Sequence, residues 1–87
     1  MPDELVSEIR ALLAREGSLA VDVAAIGDRD DLWRAGLTSH GSVDLMLALE
    51  ERFGVEFPDR LLTRQTFRTI EALATALREL LAAEVSA

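Results

Sequence analysis

Apolar residues recur at helical spacing in three separate stretches of the chain. Leu5, Ile9, Leu12 and Leu13, with Val6 beside them, form the first. Leu45, Met46, Leu49 and Phe53 form the second, and Ile70, Leu73, Ala74, Leu77, Leu80 and Leu81 the third. Steps of three and four residues place each set on one face of an α-helix, so the pattern predicts three amphipathic helices that bury their stripes together. Local end signals bound them. Pro2 suits a first helical position, Asp3 and Glu4 complement the positive end of a helix dipole, and Gly17 is a natural stop, which puts the first helix at 3–16. The second is expected from about Ser39 to Phe53, with Gly54 ending it, and Thr69 is the expected N-cap of the third. No segment reads convincingly as a strand.

Two connections break the periodicity. From Gly17 to Thr38, Leu19, Val21, Val23 and Ile26 are separated by small and acidic residues, and Asp28-Arg29-Asp30-Asp31 precedes Leu32 and Trp33. A connection this long in a small domain needs order of its own or a function, and here its apolar residues are expected to pack down on the bundle. The acidic cluster lacks the glycine and distal glutamate of a calcium loop and reads as a solvated turn. After Val55, Phe57 and Pro58, the stretch from Asp59 to Gln65 is expected to form a short helix carrying Leu61 and Leu62 inward. The fold class is therefore all-α: three longer helices, one short one, and a long loop between helices one and two.

The helical wheel of the second segment also groups His40, Asp44, Leu47 and Glu51 on the side away from the core stripe. Leu47 is then an apolar residue on a solvent face.

Composition narrows the possible functions. The chain has 87 residues, 49% of them hydrophobic, with only 5 Gly and 2 Pro, which fits one ordered domain over 1–87. A domain of this size buries only about 60 to 65% of the surface of its unfolded chain, leaving little room for a deep active-site cavity. With 3 Phe and 1 Trp the core must be mostly aliphatic. The formal net charge is -7, and the 9 basic residues are all arginines scattered singly. Nucleic-acid binding needs a basic face and is disfavoured, whereas partners with basic patches are favoured. There is no cysteine and only one histidine, His40, so disulfides, thiolate catalysis, cysteine zinc sites and multi-histidine metal sites are excluded. Asp3, Glu4 and Glu8 interrupt any signal-like run, and no stretch is long enough to span a bilayer, so a cytoplasmic monomer with no membrane partner is expected.

The second helix has a poor beginning. Thr38-Ser39-His40-Gly41-Ser42 carries weak helix formers and two hydroxyls ahead of a well-built helix. Ser39 admits three readings. A catalytic nucleophile would need a base and an orienting partner; His40 is adjacent but points elsewhere on a helix, and no Gly-x-Ser-x-Gly elbow surrounds the serine. A structural N-cap, by Ser39 or Thr38, would only accept a backbone N–H. The third reading is a site of covalent modification.

The wider pattern favours the third. Gly36 and Ser39, Val43-Asp44-Leu45, Leu49-Glu50, Phe53-Gly54 and Pro58-Asp59, followed by Phe67-Arg68-Thr69-Ile70 and Leu73, resemble the acyl and peptidyl carrier-protein family in register from Leu32 to Leu77. That resemblance implies a four-helix carrier bundle with a 4'-phosphopantetheine arm on Ser39, no catalysis of its own, and helix two as the docking surface. A phosphodiester at the head of helix two would be favoured by free N–H groups and the helix dipole. Gly41 and the small Ser42 would leave the hydroxyl open to an enzyme.

Two positions depart from the common family pattern: Thr38 replaces the usual Asp and His40 the usual Leu. Together with "FPDRLLTRQTF", they make the chain resemble discrete bacterial aminoacyl carriers, charged by stand-alone ligases similar to the seryl-tRNA synthetase core. The partners so implied are a phosphopantetheinyl transferase, an aminoacyl or acyl ligase and downstream acyl-transfer enzymes. Thr38 and His40 are expected to select the modifying enzyme rather than stabilise the fold, and Asp44, Leu47 and Glu51 to contact partners. The alternatives are an acyl carrier for polyketide or specialised fatty-acid synthesis, an unmodified acidic helical adaptor, and a small serine hydrolase. Since nothing flanks the domain, it is expected to act in trans.

Overall fold

The structure, a computed structural model, describes residues 4–17, 19 and 21–86, with side chains as far as Ala83. Three α-helices carry the fold: α1 (Glu4–Glu16), α2 (Ser39–Phe53) and α3 (Ile70–Ser86). The described residues contain no strand. Pro2 and Asp3, expected to open α1, lie outside them. The three apolar stripes converge as the spacing predicts. Ile9 and Leu13 from α1, Leu45 and Leu49 from α2, and Ile70, Leu73 and Leu77 from α3 are fully buried, joined by Leu32 from the long loop. Each such side chain contributes about 1.5 to 3 kcal/mol by leaving water, so this aliphatic cluster is the main source of stability. Phe57 and Phe67 extend it, their ring centroids 5.9 Å apart and tilted by 33°.

The loop from Val21 to Thr38 is ordered by its own devices. Asp22 accepts the Ala24 N–H and starts a 3-10 turn at Val23–Ala25. Ile26, Leu32 and Leu37 are buried, and Leu19, Val23, Trp33 and Ala35 pack against the core part-buried. The larger apolar residues of the loop thus settle on the bundle as expected, with Val21 the exposed exception among those described. Arg10 of α1 clamps it from one side, donating to the Val23 carbonyl at 3.0 Å and to the Asp28 carboxylate at 2.6 Å. From the other side the loop meets the head of α3: the Asp28 carbonyl accepts the Glu71 N–H at 2.9 Å, and the Leu32 N–H donates to the Arg68 carbonyl at 2.7 Å. The acidic cluster is thus a set of turn-makers and ion-pair partners, not a merely solvated turn. Asp30 accepts the Gly27 N–H, and Asp31 accepts the N–H groups of Trp33 and Arg34.

After α2, Gly54 takes the left-handed conformation (φ 64°) and donates to the Glu50 carbonyl. The Glu50 carboxylate then accepts the Phe57 N–H at 2.8 Å and turns the chain back towards the core. The short helix expected over 59–65 is reduced to its first turn. Asp59–Leu61 is a single 3-10 turn, followed by further turns through Phe67. Leu62 leaves that turn with ψ 63° and is 45% exposed, correcting the expectation that it points inward, while Leu61 is partly buried. With one short turn available, two consecutive residues diverge and only one can face the core. Buried Thr66 and Thr63 share a hydroxyl contact of 3.1 Å, and Thr69 caps α3 by accepting the Ala72 N–H at 2.9 Å, as its position predicts.

Asp31 gives this loop a pH dependence. Partial burial acts to raise its pKa, but the two backbone N–H groups and the nearby Arg68 and Arg34 charges outweigh burial and hold it below the ordinary aspartate range. A carboxylate whose folded pKa is depressed stabilises the fold above its unfolded pKa and loses that contribution as pH falls through the folded value. Asp31→Asn should therefore lower the melting temperature at neutral pH. Its gap from wild type should close as pH drops below the ordinary aspartate range. A gap that stays constant with pH would mean that charge is not what Asp31 contributes.

Candidate functional site

The head of α2 is built by a division of labour among four consecutive residues. Gly36, at φ 111°, turns the chain after the Leu32–Gly36 turns, and the buried Leu37 anchors it. Thr38 is the N-cap: its backbone is extended and its Oγ1 accepts the Gly41 N–H at 3.0 Å, while its carbonyl accepts the Ser42 N–H. Ser39 is consequently the first helical residue, exposed, and its hydroxyl has no hydrogen-bond partner among the described residues. The cap assigned in the sequence to either Ser39 or Thr38 falls on Thr38. That corrects the expectation that Thr38 has no part in stability, and it leaves the Ser39 hydroxyl unengaged.

Gly41 has a different role from the one its position suggests. It is buried, and a Cβ there would lie 2.6 Å from the carbonyl oxygen of Gly17. Glycine is required because the first turn of α2 crosses the end of α1 at backbone contact, not to keep the serine uncrowded. Gly17 is similarly confined, since a Cβ there would meet the Leu13 carbonyl at 2.7 Å. Ser42 donates its hydroxyl to the Ser39 carbonyl at 2.7 Å and is already committed within the helix.

The remaining predicted residues fall along the outside of α2. His40 is exposed, with Nε2 3.4 Å from the Asp44 carboxylate one turn on. Leu47 is 53% exposed and Glu51 is exposed, so the wheel's outer face is real and Leu47 is not core. The structure thus brings Ser39, His40, Asp44, Leu47 and Glu51 onto one side of one helix, with Thr38 at its head. No base is hydrogen-bonded to Ser39 among the described residues.

Sequence reasoning missed the groove beside the serine. Trp33, Ser39, Val43, Met46, Leu62 and Phe67 line an open groove of about 340 Å³. Val43, 49% exposed, is one turn from both Ser39 and Leu47, so the wheel could have found it. Leu62 and Trp33 come from the two connections, where no period signals a shared surface. The lining is suited to a flexible organic chain attached at its edge, and the residues present fit a phosphodiester at Ser39: the oxygen is accessible, and the N–H groups of Ser39 and His40, unlike those of Gly41 and Ser42, have no partner among the described residues.

Three α-helices, an acidic surface and an exposed serine at an open groove define a carrier domain. Residues 7–77 match the phosphopantetheine attachment site family, and the chain belongs to it. The cofactor of this family is a covalently bound 4'-phosphopantetheine. An aminoacyl carrier protein from Agrobacterium fabrum is 47% identical over 73 residues, covering 84% of this chain and 88% of that protein. Among solved structures, a carrier protein from Agrobacterium tumefaciens is 44% identical with a TM-score of 0.83, over 86% of this chain and 97% of that one. It was crystallised with an engineered Bradyrhizobium japonicum glycine:[carrier protein] ligase and ATP. A glycylated carrier protein bound to the Bradyrhizobium japonicum ligase is 27% identical, with a TM-score of 0.74 over 85% of this chain and 99% of that one.

The cap and the close crossing predict a ranking of stabilities. Gly41→Ala should cost about 1 to 3 kcal/mol through overpacking against Gly17. Thr38→Ala should cost about 0.5 to 2 kcal/mol as a lost cap, and Ser39→Ala no more than about 0.5 kcal/mol. Denaturant unfolding of the three variants checks the order. A Ser39→Ala loss equal to that of Thr38→Ala would return the cap to Ser39.

Proposed function

We propose that the chain is a single carrier domain that bears 4'-phosphopantetheine on Ser39 and works in the cytoplasm as an aminoacyl carrier without catalysing a reaction itself. The observation that carries this reading is the division of labour at the head of α2: Thr38 takes the cap, Ser42 is engaged internally, and the Ser39 hydroxyl is left exposed. When bound, phosphopantetheine supplies a thiol on a flexible arm, to which the cargo is joined as a thioester. The protein's own part is to present Ser39 to a phosphopantetheinyl transferase, stabilise the phosphate with the positive end of α2, and offer a surface that partners read.

The identity to the Agrobacterium fabrum aminoacyl carrier and the likeness to carriers bound to a glycine:[carrier protein] ligase favour an amino acid as cargo. The loading enzyme would be a stand-alone ligase related to the seryl-tRNA synthetase core, and acyl-transfer enzymes would take the cargo onward. Thr38 and His40, flanking Ser39, are read by the transferase. Leu47 is the apolar anchor for the ligase, with Asp44 and Glu51 steering a basic surface towards it.

Intact-mass measurement after incubation with a transferase and coenzyme A tests the attachment site. Wild type should gain one phosphopantetheine and Ser39→Ala none, with its fold retained. Thr38→Asp with His40→Leu should be modified faster by a fatty-acid-type transferase, and aspartate keeps the cap. Peptide mapping that places the group on Ser42 would refute Ser39.

Docking on α2 has its own check, in ligase loading rates. Asp44→Asn and Glu51→Gln should slow loading at low salt and matter less at high salt, because screening removes steering between exposed charges. Leu47→Ala should weaken binding at any salt while barely changing the melting temperature, given its exposure. Wild-type loading by all three variants would move the docking face elsewhere.

A further inference from the structure

The groove at Ser39 has one cationic side chain among the described residues that line it, Arg64. Its guanidinium carbon lies 4.4 Å from the centroid of the Trp33 ring, inside the range of a cation–π contact. Six other arginines are held in ion pairs with carboxylates, those at 10, 15, 29, 52, 60 and 68. Arg64 makes no ion pair among the described residues, in a chain whose net charge is -7. Its backbone is fixed independently of its side chain, because the Trp33 Nε1–H donates to the Arg64 carbonyl at 3.0 Å. The loop therefore delivers a guanidinium without an ion-pair partner among the described residues, placed over an aromatic face, to the groove that Ser39 borders. A planar fork of donors stacked on a ring is suited to phosphate oxygens, and the stacking leaves those donors free at the ring's edge.

We propose that Arg64 is the counter-cation of the phosphodiester on Ser39, and that with Trp33 it holds the first part of the attached arm against the groove wall. This rests on Ser39 as the attachment site. Arg64 would thereby set the balance between an arm laid along the carrier and one released to a partner. Because the contact is exposed, that balance is salt-dependent and modest: removing the charge should lower the ratio of laid to released arm by about two- to fivefold. Arg64 would bind phosphate more weakly as lysine, since lysine keeps the charge but loses the fork and the stack.

Trp33 is the only tryptophan in the chain and reports directly on the groove. The test compares apo and holo forms of wild type, Arg64→Gln and Arg64→Lys, with intact mass and peptide mapping confirming each holo preparation. The readouts are acrylamide quenching of Trp33 fluorescence and the ³¹P resonance of the phosphodiester. In wild type, conversion to holo should shield Trp33 from quencher. The shielding should fall with added salt, be largely lost in Arg64→Gln and be intermediate in Arg64→Lys, and the ³¹P shift of the glutamine variant should differ from wild type. If the group maps to Ser39 but Trp33 is quenched equally in apo and holo wild type, or Arg64→Gln matches wild type in both readouts, Arg64 is not the phosphate partner. If no group is added, or it maps elsewhere, the Ser39 reading falls and takes this inference with it.

Discussion

The backbone contact between Gly17 and Gly41 sets where everything at the candidate site can lie. At that point the first turn of α2 rests on the carbonyl end of α1, closely enough that a single methyl on Gly41 would come within 2.6 Å of the Gly17 oxygen. Close approach lets Leu45 and Leu49 reach the same interior as Ile9 and Leu13 without a gap, and dense packing of this kind carries most of the fold's stability. It also fixes the rotation of α2 about its own axis. With Gly41 and Leu45 turned inward, Ser39, Val43 and Leu47 must face out.

A second level of order comes from the long loop, which covers the bundle with a single 3-10 turn of regular structure among its described residues. Backbone groups in such a segment must find partners, and here they find them at both ends of the fold. Arg10 reaches across from α1, while the head of α3 supplies the Glu71 N–H and the Arg68 carbonyl lies just before it. The surface ion pairs Arg52–Glu8 and Arg29–Glu71, at 2.8 and 2.9 Å, join distant segments but are exposed and worth little individually. Position matters more than energy in this part of the molecule. The loop ends by setting Trp33 beside Ser39, and so builds one wall of the groove.

The carrier role suits this economy. A chain of 87 residues has little interior to give to a substrate, and the proposed attachment site, Ser39, is an exposed residue whose hydroxyl the fold does not otherwise engage. An acidic outer face with one exposed leucine is likewise a surface feature, independent of the core stripe on the other side of the same helix. One helix can thus carry both because its two faces are separated by half a turn.

Helix limits, caps and faces depend on residues within about four positions of each other, and those were readable from the order of amino acids. Ser39–Phe53 as a helix, the stop at Gly54, the cap at Thr69 and the outward Leu47 all belong to this group. The resemblance to carrier proteins could be drawn for the same reason, since its residues sit at fixed short spacings around Ser39. The choice of Thr38 over Ser39 as cap was not readable, because both have the right chemistry and only the path of the chain from Gly36 and Leu37 selects one. The packing role of Gly41 and the contact of Arg64 with Trp33 were hidden for a stronger reason. Each depends on segments far apart in sequence meeting at van der Waals distance, Gly17 with Gly41 and Trp33 with Arg64, and no local period encodes where a twenty-residue connection will set down its side chains.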